Sequence, residues 1–109
     1  MTPKTLHHRV YVVELDPLVS GDGSFARANP GCSTDLRCLY VGLTGLTPQE
    51  RFSRHNAGKQ ASRIVKRYGV RLLPNFYKHL NPMTYEKAAA MEVALAAALR
   101  ALGHGVWQH

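Results

Sequence analysis

The stretch RCLYVGLTGLTPQERFSRHN, residues 37–56, changes from a strand pattern to a helix pattern within a few positions. Its first part, residues 37–43, is a short apolar run that includes tyrosine and valine and therefore favours a strand. Thr47 follows, with proline next to it and glutamate three positions later. A capping box with proline in the first helical position is typical of a helix start. We expect a strand that ends near Leu43 and a helix from Thr47 to about Asn56.

The chain before this stretch predicts a partner strand and a long connection. Residues Arg9–Leu15 (RVYVVEL) are rich in β-branched and aromatic side chains, which favour a strand. The segment between the two strands, residues 16–36, contains Asp-Pro, Gly-Asp-Gly and Asn-Pro-Gly sequences that are typical of turns and loops. We therefore expect two neighbouring strands that are joined by a long, mobile insertion.

The second half of the chain predicts two more helices and a third strand. The pattern gives a short basic helix over Ser62–Tyr68, an edge strand over Val70–Leu73 that could continue to Tyr77, and a long helix from Thr84 to Gly103. Residues 105–109 allow a short terminal strand. The predicted fold is a single α+β domain over residues 1–109, with a small three-stranded, mostly antiparallel sheet flanked by helices.

Positive charge is concentrated in one part of the chain. The formal net charge is +7, and no Asp or Glu occurs between Arg51 and Tyr85, a segment that holds eight of the fourteen Lys and Arg residues. Such a segment attracts polyanions, above all nucleic acid, although a basic surface can also serve solubility alone. The candidates for contact with a nucleic-acid backbone are Lys59, Arg63, Lys66 and Arg67.

Other features of the composition narrow the class of protein. The chain contains no apolar run long enough to cross a membrane and no N-terminal run typical of a signal peptide. We therefore expect a cytoplasmic protein without a membrane partner. Cys32 and Cys38 form neither a CxxC pair nor half of a zinc pattern, so we interpret them as reduced thiols.

One charge stands out within the last predicted helix. Residues 88–99 read AAAMEVALAAAL, and Glu92 is the only ionisable side chain among them. Such an apolar helix should be largely buried, and a carboxylate there is costly unless it is paired, hydrogen-bonded or bound to a metal ion. The alternative is that Glu92 lies at the solvent edge of the helix or pairs with one of the many arginines.

Five polar side chains follow one another in a fixed order along the predicted elements. Tyr11 lies in the first strand and Tyr40 in the second, where two strands that pair in a suitable register can bring both rings to one face. Arg51 and His55 are four residues apart on the first helix and therefore share a face of it. Glu92 completes the set on the last helix. Each side chain taken alone fits core packing or a solvated surface, whereas the ordered set indicates a single site.

Through this ordered set the chain resembles the GIY-YIG endonuclease domain, a compact module of metal-dependent nucleases. The similarity extends from about Arg9 to Gln108 and includes the tripeptide Tyr40-Val41-Gly42. Its strongest part is the continuation through Gly42-Leu43-Thr44 and the capped helix to the sequence RFSRHNAG, residues 51–58. The spacing of eleven residues from Tyr40 to Arg51 also fits the family.

The resemblance implies a role for each of these side chains. Glu92 would bind one divalent ion, Mg²⁺ or Mn²⁺, and Arg51 would neutralise charge on the phosphate. Tyr11 would orient or deprotonate the attacking water, which requires a phenol whose pKa is lowered by nearby cations. Tyr40 would position the phosphate or the water, and His55 would orient the nucleophile or share the role of base. The implied reaction is hydrolysis of phosphodiester bonds in DNA rather than RNA, directed by substrate structure rather than by sequence.

The chain also departs from the family pattern. The first motif reads Arg9-Val10-Tyr11 and keeps only the tyrosine, and Gln108 lies where many members carry an asparagine. These departures leave open a module with the same fold that binds nucleic acid without cleaving it. A further alternative is a subunit of a larger repair or recombination complex, with residues 16–36 docking on the protein partner.

Overall fold

The structure, a computed structural model, describes residues 6–30 and 36–108 of the chain. These residues form an α+β fold. In chain order its elements are β1 (Arg9–Leu15), α1 (Gly23–Ala28), β2 (Cys38–Thr44), α2 (Pro48–Asn56), α3 (Arg63–Tyr68), β3 (Gly69–Leu72), α4 (Tyr85–Ala101) and β4 (Gly105–Gln108). Short 3-10 turns lie at Pro17–Gly21, Pro74–Phe76 and Lys78–Leu80.

The described strands form one mixed sheet in the order β3-β1-β2-β4. The predicted antiparallel pairing of β1 with β2 is confirmed, and β3 pairs antiparallel with the other side of β1. The prediction of three strands is wrong, because β4 adds a fourth strand that runs parallel to β2. The short terminal strand that the sequence allows over residues 105–109 is found at Gly105–Gln108, where α4 brings the chain back to the edge of β2, but it was not counted in the predicted sheet.

The predicted loop between β1 and β2 contains regular structure instead. Its described part holds the 3-10 turn Pro17–Gly21 and helix α1, and the side chains of Val19 and Phe25 are fully buried in the core. Asn29 ties the end of α1 to β4, since its side-chain oxygen accepts a hydrogen bond from the Val106 amide at 2.7 Å. Residues 31–35, which include Cys32, lie outside the described residues. The prediction of a long loop is therefore wrong for residues 17–28.

Asp22 connects this segment to helix α3. Its carboxylate accepts hydrogen bonds from the Ser24 and Phe25 amides at the start of α1 and lies 2.7 Å from the Arg63 guanidinium. The Arg63 hydrogen bond and these amides lower the pKa of Asp22 from 3.8 to about 2. The pair fixes α1 against α3.

We expect this pair to give a pH-dependent contribution to stability. Because the pKa of Asp22 is lower in the folded chain, the contribution is fully present above the unfolded value and is lost as the pH falls through the folded value of about 2. An Asp22→Asn variant should therefore melt at a lower temperature than the wild type near neutral pH. The difference should shrink between about pH 4 and pH 2 in circular dichroism melts. A difference that stays constant over this range would contradict the assignment.

The starts of α2 and α4 follow the capping residues that the sequence indicates. The Thr47 hydroxyl accepts a hydrogen bond from the Glu50 amide and donates one to the Glu50 carboxylate. The Thr84 hydroxyl caps α4 by accepting a hydrogen bond from the Lys87 amide. The buried side of α4 is a stripe made of Ala88, Glu92, Ala96 and Leu99. The expectation of a largely buried helix is wrong, since the opposite side is exposed and Val93 is 58% accessible. None of the described helices meets the length and hydropathy required of a membrane span.

The free side of β1 beside Tyr11 is completed by residues 81–83 rather than by a longer β3. The Asn81 side chain donates to the Val10 carbonyl at 2.8 Å and accepts from the Val10 amide at 2.9 Å. His8 and Met83 form an isolated antiparallel bridge next to it. The chain leaves β3 through the 3-10 turn at Pro74–Phe76, so the strand does not extend to Tyr77. These contacts hold the half of β1 that carries Tyr11.

Candidate active site

Two tyrosines meet on one face of the central strand pair. The register of β1 and β2 places Tyr11 opposite Gly42 and Val13 opposite Tyr40, so both rings project to the same side of the sheet. Their centroids lie 5.9 Å apart, and each side chain is 1% accessible. The predicted common face is confirmed by this register.

Gly42 leaves the space that both rings occupy. A Cβ atom at this position would lie 2.8 Å from Cζ and Oη of Tyr11 and 2.8 Å from Cε1 of Tyr40. These distances are too short for any side chain, so the glycine is required for space and not for an unusual backbone angle. Gly42 belongs to the tripeptide Tyr40-Val41-Gly42, but only the cross-strand register shows that it is required for space.

His55 on α2 packs against both tyrosines and is completely buried. Its ring lies 5.7 Å from the Tyr40 ring and 6.2 Å from the Tyr11 ring, measured between centroids. Nε2 is 2.8 Å from the Tyr11 hydroxyl oxygen, and Nδ1 accepts a hydrogen bond of 3.0 Å from the Ser62 backbone amide. Ser62 was not a predicted site residue, because a backbone amide carries no residue-type pattern.

Arg51 lies one turn before His55 and is held by the loop that follows α2. Its Nη2 donates to the Gln60 carbonyl at 2.8 Å. The loop curls back through two left-handed residues, Gly58 with φ 78° and Gln60 with φ 49°. The Arg51 guanidinium also reaches the Tyr11 hydroxyl, and both its hydrogen bond and its charge act to lower the pKa of that phenol.

Glu92 reaches the same cluster from α4. It is 6% accessible, and its charge acts on Tyr40 in the direction opposite to the charge of Arg51. The neighbours of Glu92 on the buried stripe, one turn away on either side, are alanines, whose small side chains leave room for the carboxylate. The structure thus brings together all five of the predicted site residues, Tyr11, Tyr40, Arg51, His55 and Glu92, from β1, β2, α2 and α4.

Burial dominates the acidity of the two phenols. It raises the pKa of Tyr11 strongly and that of Tyr40 as well, and the opposing effect of Arg51 does not compensate for it. Arg51 alone therefore does not give the net lowering of the Tyr11 pKa that the role of base requires. The contact between the two phenols raises the pKa of Tyr11 and lowers that of Tyr40.

The four basic residues proposed to contact nucleic acid differ in their surroundings. All four are exposed, but Arg63 is paired with Asp22. Lys59 belongs to the loop that holds Arg51, and the Lys66 ammonium lies beside Gly58 in that loop, 3.1 Å from where a Cβ would be. Arg67 stacks over its neighbour Tyr68 with 5.4 Å between the guanidinium carbon and the ring centroid. Of these four residues, Lys59 and Lys66 are the two that lie at the loop which holds Arg51.

The chemistry of the donor set limits which metal the cluster fits. Within residues 6–30 and 36–108, no group of three or more His, Cys, Asp or Glu side chains could hold an ion. Glu92 is the carboxylate of the cluster, and a single carboxylate suits an ion such as Mg²⁺ that keeps several of its own waters.

Gln108 pairs with Val41, so the sheet register places it on the face opposite Tyr40. Cys38 is half-buried in β2.

Comparison of the chain with protein-family models, with curated proteins and with solved structures gives no match. Any assignment of function therefore depends on the cluster itself.

Proposed function

We propose that this chain is a cytoplasmic, metal-dependent endonuclease that hydrolyses phosphodiester bonds in nucleic acid, and in DNA more readily than in RNA. One observation carries the proposal. Five side chains that are spread from position 11 to position 92 meet in one cluster, which combines a guanidinium, a carboxylate, an imidazole and two phenols. Core packing alone does not require this selection, because burying a carboxylate such as Glu92 is costly unless it is paired, hydrogen-bonded or bound to a metal ion.

Glu92 would hold the divalent ion, Mg²⁺ or Mn²⁺. Its buried position, with alanines one turn away on each side, fits an ion held by one carboxylate and water. When bound, the ion supplies positive charge that stabilises the phosphate and the leaving oxygen.

The chain's own residues supply the remaining functions. The planar guanidinium of Arg51 suits a phosphate, and it has five N–H donors of which the Gln60 carbonyl and the Tyr11 hydroxyl use only part. The charges of Arg51 and Glu92 both act on Tyr40, whose hydroxyl would orient the attacking water. Tyr11 would support Tyr40 by donating a hydrogen bond to it.

The exposed cations would bind the nucleic-acid backbone without reading sequence. We expect Lys66→Gln and Arg67→Gln each to weaken binding and to reduce the slope of log K against log salt by about 1, since each removes one phosphate contact. Arg63→Gln is the matched control on the same helix, because Asp22 already occupies that guanidinium. Fluorescence anisotropy over a salt series measures all three slopes. An equal loss for all three variants would show that the charge of α3 acts as a whole rather than through particular contacts.

The proposal is tested by incubating the purified chain with Mg²⁺ or Mn²⁺ and a panel of substrates. The panel contains duplex, nicked, flapped, branched and single-stranded DNA, with matching RNA. We expect cleavage of at least one branched or flapped DNA, and loss of that cleavage when the metal is chelated. Binding without cleavage in every metal would contradict the proposal.

A second candidate is a module that binds nucleic acid without cleaving it. The observation that favours it is the raised pKa of both phenols, which leaves neither tyrosine ready to accept a proton at neutral pH. In that case neither the wild type nor any site variant would cleave in any metal, whereas the Lys66 and Arg67 variants would still weaken binding.

A further inference from the structure

Both ring nitrogens of the buried His55 form hydrogen bonds. We propose that the Ser62 backbone amide fixes His55 as the neutral tautomer with its proton on Nε2, so that His55 positions Tyr11 and does not act as a general base. The tautomer follows from the contacts alone, whereas its meaning for catalysis rests on the proposed nuclease function.

The first step concerns Nδ1. A backbone N–H can only donate, and the Ser62 amide lies 3.0 Å from Nδ1, so this nitrogen is the acceptor and carries no proton. Ser62 is the N-cap of α3, and Ile64 and Val65 anchor that helix in the core. The amide therefore cannot turn away without moving α3.

The second step concerns Nε2. A neutral ring without a proton on Nδ1 must carry it on Nε2, which then donates to the Tyr11 oxygen at 2.8 Å. The Tyr11 oxygen accepts this bond, so its own proton is left to donate to another acceptor, and the Tyr40 ring lies beside it with 5.9 Å between the ring centroids. The hydrogen bond from the histidine therefore points from His55 to Tyr11, on the side of the cluster that holds Tyr40.

The third step concerns the role of the ring. A general base needs a lone pair that can reach the proton it removes, and the one lone pair of neutral His55 is taken by Ser62. The imidazolium would need a proton on Nδ1, directly opposite the Ser62 N–H. The rings packed against His55 are those of Tyr11 from β1 and Tyr40 from β2, and Arg51 lies one turn before His55 on α2.

The wild-type protein tests the tautomer directly, without any substitution. Long-range ¹H–¹⁵N correlation spectra distinguish protonated from unprotonated ring nitrogens, and the His55 signals are assigned by their loss in His55→Gln. We expect a His55 ring with protonated Nε2 and unprotonated Nδ1 through the neutral pH range. A proton on Nδ1, or the averaged tautomers of an exposed histidine, would overturn the proposal.

Two variants at one position test the source of the restraint. Replacing Ser62 with its α-hydroxy analogue turns the backbone N–H into an ester oxygen, which removes the donor and adds no atom beside Nδ1. Ser62→Ala keeps the amide and removes only the capping hydroxyl. We expect the ester analogue alone to alter the His55 nitrogen signals and to lower kcat about 10-fold or more relative to Ser62→Ala, with KM little changed, as for other outer partners of catalytic groups. Equal His55 spectra in the two variants would overturn the role of the amide.

The readouts separate this inference from the proposed function. A fixed Nε2–H tautomer in a protein that cleaves nothing would uphold the inference about Ser62 and refute the nuclease. Cleavage by a protein whose His55 carries its proton on Nδ1 would support the nuclease and refute the inference about Ser62.

Discussion

Replacing Glu92 with glutamine is expected to abolish metal-dependent cleavage while nucleic-acid binding stays nearly unchanged. Glutamine keeps the size of the side chain but loses the negative charge that would hold a hydrated divalent ion. Since a single group that stabilises charge in a transition state is often worth 10²–10³ in rate, and the ion supplies more than one such interaction, we expect a loss of about 10³-fold or more. The measurement is the single-turnover cleavage rate against Mg²⁺ concentration.

The Glu92 prediction has a control on the same helix. Glu86→Gln removes an equal charge from an exposed position in the first turn of α4 and should leave the rate within a factor of about 2. Melting curves for both variants establish that the fold is intact, and anisotropy establishes that binding persists. Cleavage at the wild-type rate by Glu92→Gln would place the ion elsewhere and remove the main support for the site.

The sequence predicts the elements whose cause is local. The strand at Arg9–Leu15 and the helix that begins after Thr47 are found where the pattern places them, because β-branched residues, a capping box and a proline act within a few positions. Helix α1 could not be predicted in this way. Its six residues are too short for helical periodicity, and the turn-forming residues before it serve as its cap through Asp22.

The residues of the candidate site could be predicted from the sequence, whereas their surroundings could not. The residue types and spacings selected Tyr11, Tyr40, Arg51, His55 and Glu92, and all five lie in one cluster. The direction of the pKa of Tyr11 was not predictable, because it depends on how deeply the ring is buried rather than on which cations follow it in the chain. The carbonyl of Gln60 and the amide of Ser62 were not predictable either, since every residue carries these groups.

A second large effect is expected from adding one carbon atom at Gly42. In Gly42→Ala the new Cβ would lie 2.8 Å from atoms of both Tyr11 and Tyr40, so at least one ring must move. Neither ring can move outward at low cost, because both are buried and the Tyr11 hydroxyl is bonded to His55 at 2.8 Å. Overpacking of this kind costs about 1–3 kcal/mol, which urea denaturation measures as a lower midpoint with an unchanged m-value.

The same substitution should lower cleavage by much more than the loss of stability explains. At a temperature where Gly42→Ala is still fully folded, a displaced phenol no longer aligns with His55 and Tyr40, and misplacement of about 1 Å can cost 10²-fold in rate. Gly45→Ala is the matched control just past the end of β2, where a Cβ would meet only His8 at an ordinary 3.6 Å. If Gly42→Ala is destabilised but cleaves at the wild-type rate, the paired rings are core packing and the reaction takes place elsewhere. If it loses cleavage while Gly45→Ala keeps both properties, the alignment of the two phenols is itself part of the catalytic machinery.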